Sequence, residues 1–107
     1  MIDEQAALRL VVEGYGHGVE ADWFDYDPGL SQRFFVFDGL NQTGNGSFGF
    51  FAVNPWTGDV WALWGCHKLS TPALHKSQAE IRRRFAPPDS EEYDQLSGLK
   101  PDCIVVD

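Results

Sequence analysis

Basic residues are scarce in this chain. Eight Lys and Arg stand against sixteen Asp and Glu over 107 residues, a formal net charge of −8. Phosphate backbones and anionic headgroups are held by basic stripes, so this balance argues against direct contact with nucleic acid or a membrane. It favours solubility and basic partners instead. Long apolar runs are missing too, and none nears the roughly 18 residues that span a bilayer. The opening MIDEQAALRL has two early acids and no basic n-region, so it does not read as a signal peptide. The expectation is a cytoplasmic chain as written, or a periplasmic one where a signal has been removed.

Cysteine is sparse as well: Cys66 and Cys103 lie far apart and form no CxxC. Either they pair in an oxidising compartment or they remain thiols, and free thiols are the reading taken here. With His67 and His75 they are the right residue types for zinc, but their spacing is unlike the paired ligands of structural sites. No metal and no cofactor is expected. Cys66 and His67 make a poor nucleophile and base, because neighbours in a strand point to opposite faces. Asp22 and Asp25 are carboxylates of the kind glycosidases pair, but one small domain offers no deep cleft between them. The sequence therefore points away from an enzyme, with a thiol or histidine enzyme as the weaker alternative.

Gly44–Gly49, GNGSFG, matches the GxGxxG pattern. A dinucleotide loop must lead into a helix that holds the pyrophosphate, whereas FFAV follows here and reads as strand. The motif is taken as a hairpin turn. Asn41-Gln42-Thr43 and Asn45-Gly46-Ser47 fit the N-glycosylation pattern and are read as turn chemistry of the same loop.

Aromatic residues are what the chain has in plenty: eight Phe, four Trp and three Tyr, within a hydrophobic fraction of 43%. That composition supports one folded domain over residues 1–107 with one core. Phe48–Gly65, FGFFAVNPWTGDVWALWG, reads as a hairpin turning at Asn54–Gly58 and carrying three of the four tryptophans. Both faces of both arms are apolar. Strict alternation sets Phe48, Phe50 and Ala52 against Phe51 and Val53, and Val60, Ala62 and Trp64 against Trp61 and Leu63. A sheet with one wet face would show polar residues at every second position, so both faces need cover. One face is expected to pack on helices, the other to be closed by a partner or a second copy of the chain.

The remaining elements follow from caps and periodicity. A first helix is predicted from an Asp3 N-cap to Glu13, stopped by Gly14, with Leu8, Val11, Val12 and Tyr15 as its buried face. Val19–Tyr26 alternates acid and aromatic as an edge strand, and Arg33–Asp38 is a second strand. Leu40–Gly46 is a turn. Ser70-Thr71-Pro72 opens a helix that reaches Arg84 or Phe85, with Leu74, Ala79, Ile81 and Phe85 toward one side and a basic end at Lys76, Arg82, Arg83 and Arg84. A short third helix is predicted at Ser90–Leu96 and a last strand at Cys103–Val106. The fold class is α+β: an antiparallel sheet of four or five strands with two or three helices mainly on one face.

Two surfaces are candidates for binding. In the first, alternation puts Glu20, Asp22, Phe24 and Tyr26 on one strand face and Ala21, Trp23, Asp25 and Asp27 on the other. Aromatic anchors carry interface energy and the surrounding charge speeds encounter. The second is the end of the tryptophan hairpin, with Trp56, Asp59, Trp61 and Trp64 followed by His67 and Lys68; Trp56, in the turn, should be the most exposed.

The hairpin VNPWTGDV resembles the V-D-x-x-T-G-x-V signature of PepSY-type domains at Val53, Asn54, Thr57, Gly58 and Val60. Those domains are small α+β units associated with inhibiting or chaperoning secreted hydrolases, and similar hairpins occur in small bacterial immunity proteins. The helix at Thr71–Phe85 and the density of tryptophan depart from the PepSY pattern, so no family binding residue carries over. What the resemblance implies, beside the acidic balance and surplus aromatics, is a non-catalytic immunity or inhibitor protein that blocks a cognate toxin or hydrolase. The alternative is an acidic nucleic-acid mimic that occupies a DNA- or RNA-binding protein.

Overall fold

The computed structural model describes residues 2–16, 18–29, 33–85, 95 and 98–103, with the side chain of Phe85 left aside. The third helix predicted at Ser90–Leu96 lies outside the described residues except Gln95, as does the predicted last strand beyond Cys103.

Helix α1 runs Glu4–Tyr15, and Asp3 caps it by accepting the Ala6 amide at 2.8 Å. The helix continues past Gly14, which is buried within it; a Cβ there would lie 3.0 Å from Leu74 and 3.3 Å from Leu69. The stop is Gly16, at φ +107°, a left-handed value that glycine tolerates. The buried face is Ala7, Leu10, Val11 and Gly14, rotated from the predicted one, and Tyr15 is 44% exposed. Both sets have helical spacing, and the smaller residues let a second helix come close.

That helix is α2, Pro72–Phe85. Thr71 caps it, accepting the Leu74 amide at 3.1 Å while donating to the Glu13 carbonyl of α1 at 2.8 Å. Leu74 and Ile81 are buried, whereas Ala79, expected beside them, is exposed.

The five strands are β1 Phe24–Tyr26, β2 Phe35–Leu40, β3 Ser47–Val53, β4 Val60–Ala62 and β5 His67–Lys68. They form one antiparallel sheet in chain order. Both helices pack on one face, where Phe24, Phe37, Phe51, Val53, Val60 and Ala62 meet Leu10, Val11, Leu74 and Ile81. This is the α+β architecture the sequence implied.

The opposite face holds Phe34, Val36, Ala52, Trp61 and Leu63, and the chain itself covers part of it. Leu99 and Cys103 pack there and Pro101 is buried. Cys103 is joined to Cys66 by a disulfide spanning 37 positions, which corrects the expectation of free thiols and of a face closed only by another molecule. Linear spacing holds no sign of this, because the two residues meet only once the segment Leu99–Cys103, a strap on this face, packs against the folded sheet.

Two irregularities decide which side chains reach the surface. Gly39 pairs with Gly49 and Leu40 with Ser47, so Phe48 is an extra residue in β3. This bulge turns Phe48 out of the alternation it was predicted to share with Phe50 and Ala52 and onto the helix side. Gly39 makes the room: a Cβ there would sit 2.6 Å from the Phe48 ring. The second irregularity is a 3-10 turn, Ala21–Trp23, where an edge strand was predicted. With it the alternation from Val19 to Tyr26 is lost, and Trp23 and Phe24 both contact the helix-side core.

The β3–β4 turn is built around the buried Asn54, whose Oδ1 accepts the Trp56 and Thr57 amides at 2.9 and 3.2 Å. Alanine there leaves those donors without their acceptor inside the protein. Asn54→Ala is expected to cost about 1–3 kcal/mol, read as a lower midpoint in urea unfolding. The β2–β3 loop is likewise a turn, as predicted: the Asn41 amide bonds the Gly46 carbonyl at 2.9 Å, and Asn41 Oδ1 accepts the Thr43 amide at 3.2 Å.

Candidate binding surface

The structure divides the sequence-predicted site residues among separate places. Trp56 and Asp59 sit at the turn end of β3 and β4, whereas Trp64 follows the far end of β4. Between them, Trp61 is 7% exposed and faces Leu99 and Cys103; its indole Nε1 has no hydrogen-bond partner among the described residues. Asp59 accepts from the Thr57 hydroxyl at 2.8 Å and pairs with Lys68 at 3.7 Å, and the Lys68 ammonium lies 5.4 Å from the Trp61 ring centroid. Trp56 is half-buried and Asp59 and Trp61 are engaged within the molecule, so the hairpin end is not the continuous surface the sequence suggested.

The acidic-aromatic segment is also split. Asp25 stands opposite Asp38 in register across β1 and β2. Tyr26 is 39% exposed and rests against Phe35 and Phe37, with ring centroids at 6.0 and 5.6 Å. Glu20 and Asp22 are exposed on the turn between Val19 and Trp23.

That turn forms one wall of an open cleft of about 310 Å³. Tyr15 from the end of α1, Val19 just before the 3-10 turn and Trp23 at its end, Leu40 at the end of β2, Gln42 from the β2–β3 loop, and Phe48 from the bulge line it. A second depression of about 300 Å³ shares Tyr15 and Phe48 and continues to Phe50, Trp64 and His67. The aromatic side chains are held in place by one another. Tyr15 and Phe48 meet edge-on with centroids at 5.2 Å, Phe24 and Phe48 at 5.6 Å, and Phe50 and Trp64 at 5.9 Å. The result is a fixed aromatic surface of the kind that binds with little loss of side-chain freedom.

Of the lining residues, Trp23 and Trp64 are among those singled out from the sequence, whereas Tyr15 and Phe48 are not. Tyr15 was placed in the core because it fits the helical spacing. Phe48 needed the bulge, for which the glycines at 39 and 49 inside strands were the available sign.

Among the described residues, neither depression is lined by Lys or Arg. From Leu10 to His67 the sequence has Arg33 as its one Lys or Arg, against Glu13, Glu20, Asp22, Asp25, Asp27, Asp38 and Asp59. Helix α1 also ends here with no basic residue in its last turn, so its partial negative charge is not offset by one of its own side chains. The groove between the helices, about 330 Å³, differs: Arg9 and Arg84 line it together with Asp3 and Glu80, and none of its described lining residues is aromatic.

Catalytic chemistry finds little to use among the described residues. Cys66 and Cys103 are consumed in the disulfide, so neither offers a thiolate. Ser70 Oγ and His75 Nε2 are 2.9 Å apart at the exposed start of α2, and no carboxylate among the described residues orients that imidazole.

No family model matches the chain, and no curated protein does. The fold is similar to that of a chain in a solved structure, that of a type VI secretion system effector–immunity complex from Pseudomonas protegens. The TM-score is 0.65 at 18% identity, over 91% of this chain and 88% of that one. At that identity the likeness is one of fold.

Proposed function

We propose that this chain is a non-catalytic protein-binding module of the immunity or inhibitor type, which seats its aromatic end on a cognate toxin or hydrolase. The observation that carries the reading is the Tyr15–Trp23–Phe48 cleft, an open aromatic surface beside Glu20 and Asp22. The fold shared with a chain of an effector–immunity complex supports it. So does the engagement of both cysteines in a bond rather than in chemistry. The disulfide also favours the periplasmic alternative over the cytoplasmic one, since such bonds persist in oxidising compartments.

Affinity capture with the full chain, from lysate and secreted fractions of the source cells, tests this. One stoichiometric enzyme is expected to be retained through a moderate-salt wash, retained equally by Lys76→Ala on α2, and lost with Trp23→Ala. Trp23 also contacts the core, so Asp22→Lys at an exposed position serves as the second variant. A partly aromatic anchor weakens only modestly as salt rises, whereas a nucleic-acid mimic releases a strongly basic partner steeply. A blank capture, or binding indifferent to both variants, contradicts the proposal.

A further inference from the structure

We infer that the cleft between Tyr15, Trp23 and Phe48 receives an arginine side chain of the protein partner. This rests on the protein-binding reading above and names the chemistry of its anchor. The first ground is the lining. Tyr15 and Trp23 supply electron-rich ring systems beside Phe48, and such rings attract a cation lying over their faces or held among them.

The second ground is the field. Among the described residues the cleft has no Lys or Arg in its lining, Glu20 and Asp22 lie on the turn between two of its wall residues, and the C-terminal end of α1 contributes partial negative charge. A neutral apolar plug would gain nothing from this arrangement, and an acidic one would be repelled. The third ground is an acceptor at the rim. Gln42 donates Nε2 to the Leu40 carbonyl at 2.8 Å, which fixes its amide and leaves Oε1 for an N–H donor.

These features favour arginine over lysine. A guanidinium is planar, stacks on rings, is weakly hydrated, and presents several N–H groups at once, so that it meets Gln42 while its charge is favoured by the carboxylates of the neighbouring turn. An ammonium matches the charge but would lose more hydration on entering an aromatic site.

The test uses the intact oxidised chain and two blocked tripeptides, acetyl-Gly-Arg-Gly-amide and the same peptide with citrulline, which keeps the shape and loses the charge. Titration is followed by amide and indole NMR. The arginine peptide is expected to give saturable shifts at the Trp23 indole and the Gln42 side-chain amide, with citrulline weaker by roughly tenfold or more. Trp23→Leu should abolish the response, and Asp22→Asn, which keeps the fold and removes one charge, should weaken it. Equal responses to the two peptides, no saturable shift, or shifts centred on the Trp56 turn or the strap overturn the assignment. Should partner capture still depend on Trp23 while arginine leaves the cleft unmoved, the guanidinium anchor alone falls and the protein-binding reading stands.

Discussion

Phe37→Ala should lower unfolding stability by about 3–5 kcal/mol, the range for emptying a buried aromatic site. Phe37 is 1% exposed in the middle of β2, opposite Tyr26 on one side and Phe51 on the other. Its ring fills the helix-side core and supports Tyr26, with centroids 5.6 Å apart. Alanine leaves a cavity that β2, paired on both edges, cannot close by sliding. A domain this small has about 5–15 kcal/mol to lose, so one truncation removes a large share. Urea unfolding followed by tryptophan fluorescence would show it, and a loss below about 1 kcal/mol would mean that the core does not sit where the structure puts it.

The second large effect is expected from the disulfide. Closing a loop of 37 positions restricts the unfolded chain, and loss of such a bond typically costs about 2–4 kcal/mol. The double variant Cys66→Ser, Cys103→Ser should show that loss without reductant, and the native chain should show it on reduction. The consequence is not only entropic. Cys103, with Leu99, packs over the face that holds Phe34, Val36, Trp61 and Leu63, so freeing the strap should uncover an apolar patch. A red shift of the Trp61 emission and binding of a hydrophobic dye are the expected accompaniments. Unchanged stability and emission would show that the strap contributes nothing to cover.

The parts of the fold set by local chemistry were legible in the sequence. Asp3 as a cap, Thr71-Pro72 as a helix start and Asn54–Gly58 as a turn each depend on groups a few residues apart, and each stands where it was read. The meander followed from short turns between strands. What escaped depended on distant parts of the chain. Gly14 reads as a helix stop, but contact with Leu69 and Leu74 buries it inside α1 instead. Phe48 changes sides through a bulge that needs the empty space over Gly39, and the strap meets Cys66 only across the finished sheet.

The candidate site divides along the same line. Glu20, Asp22 and Trp23 were legible as an acidic-aromatic segment, although the 3-10 turn rather than strand alternation presents them. Trp61 was misplaced because the strap that covers its face leaves no local mark. Tyr15 and Phe48 complete the cleft through ring contacts between α1 and β3, a pairing that no short window of sequence contains.

Amide hydrogen exchange on the chain alone and in complex with the partner it captures decides whether the aromatic end is the binding surface. Added protection is expected at Val19–Phe24 and at Leu40–Phe48, with the exposed side of α2 unchanged. Protection confined to α2 or to the Asn54–Gly58 turn, with none around the cleft, would contradict it.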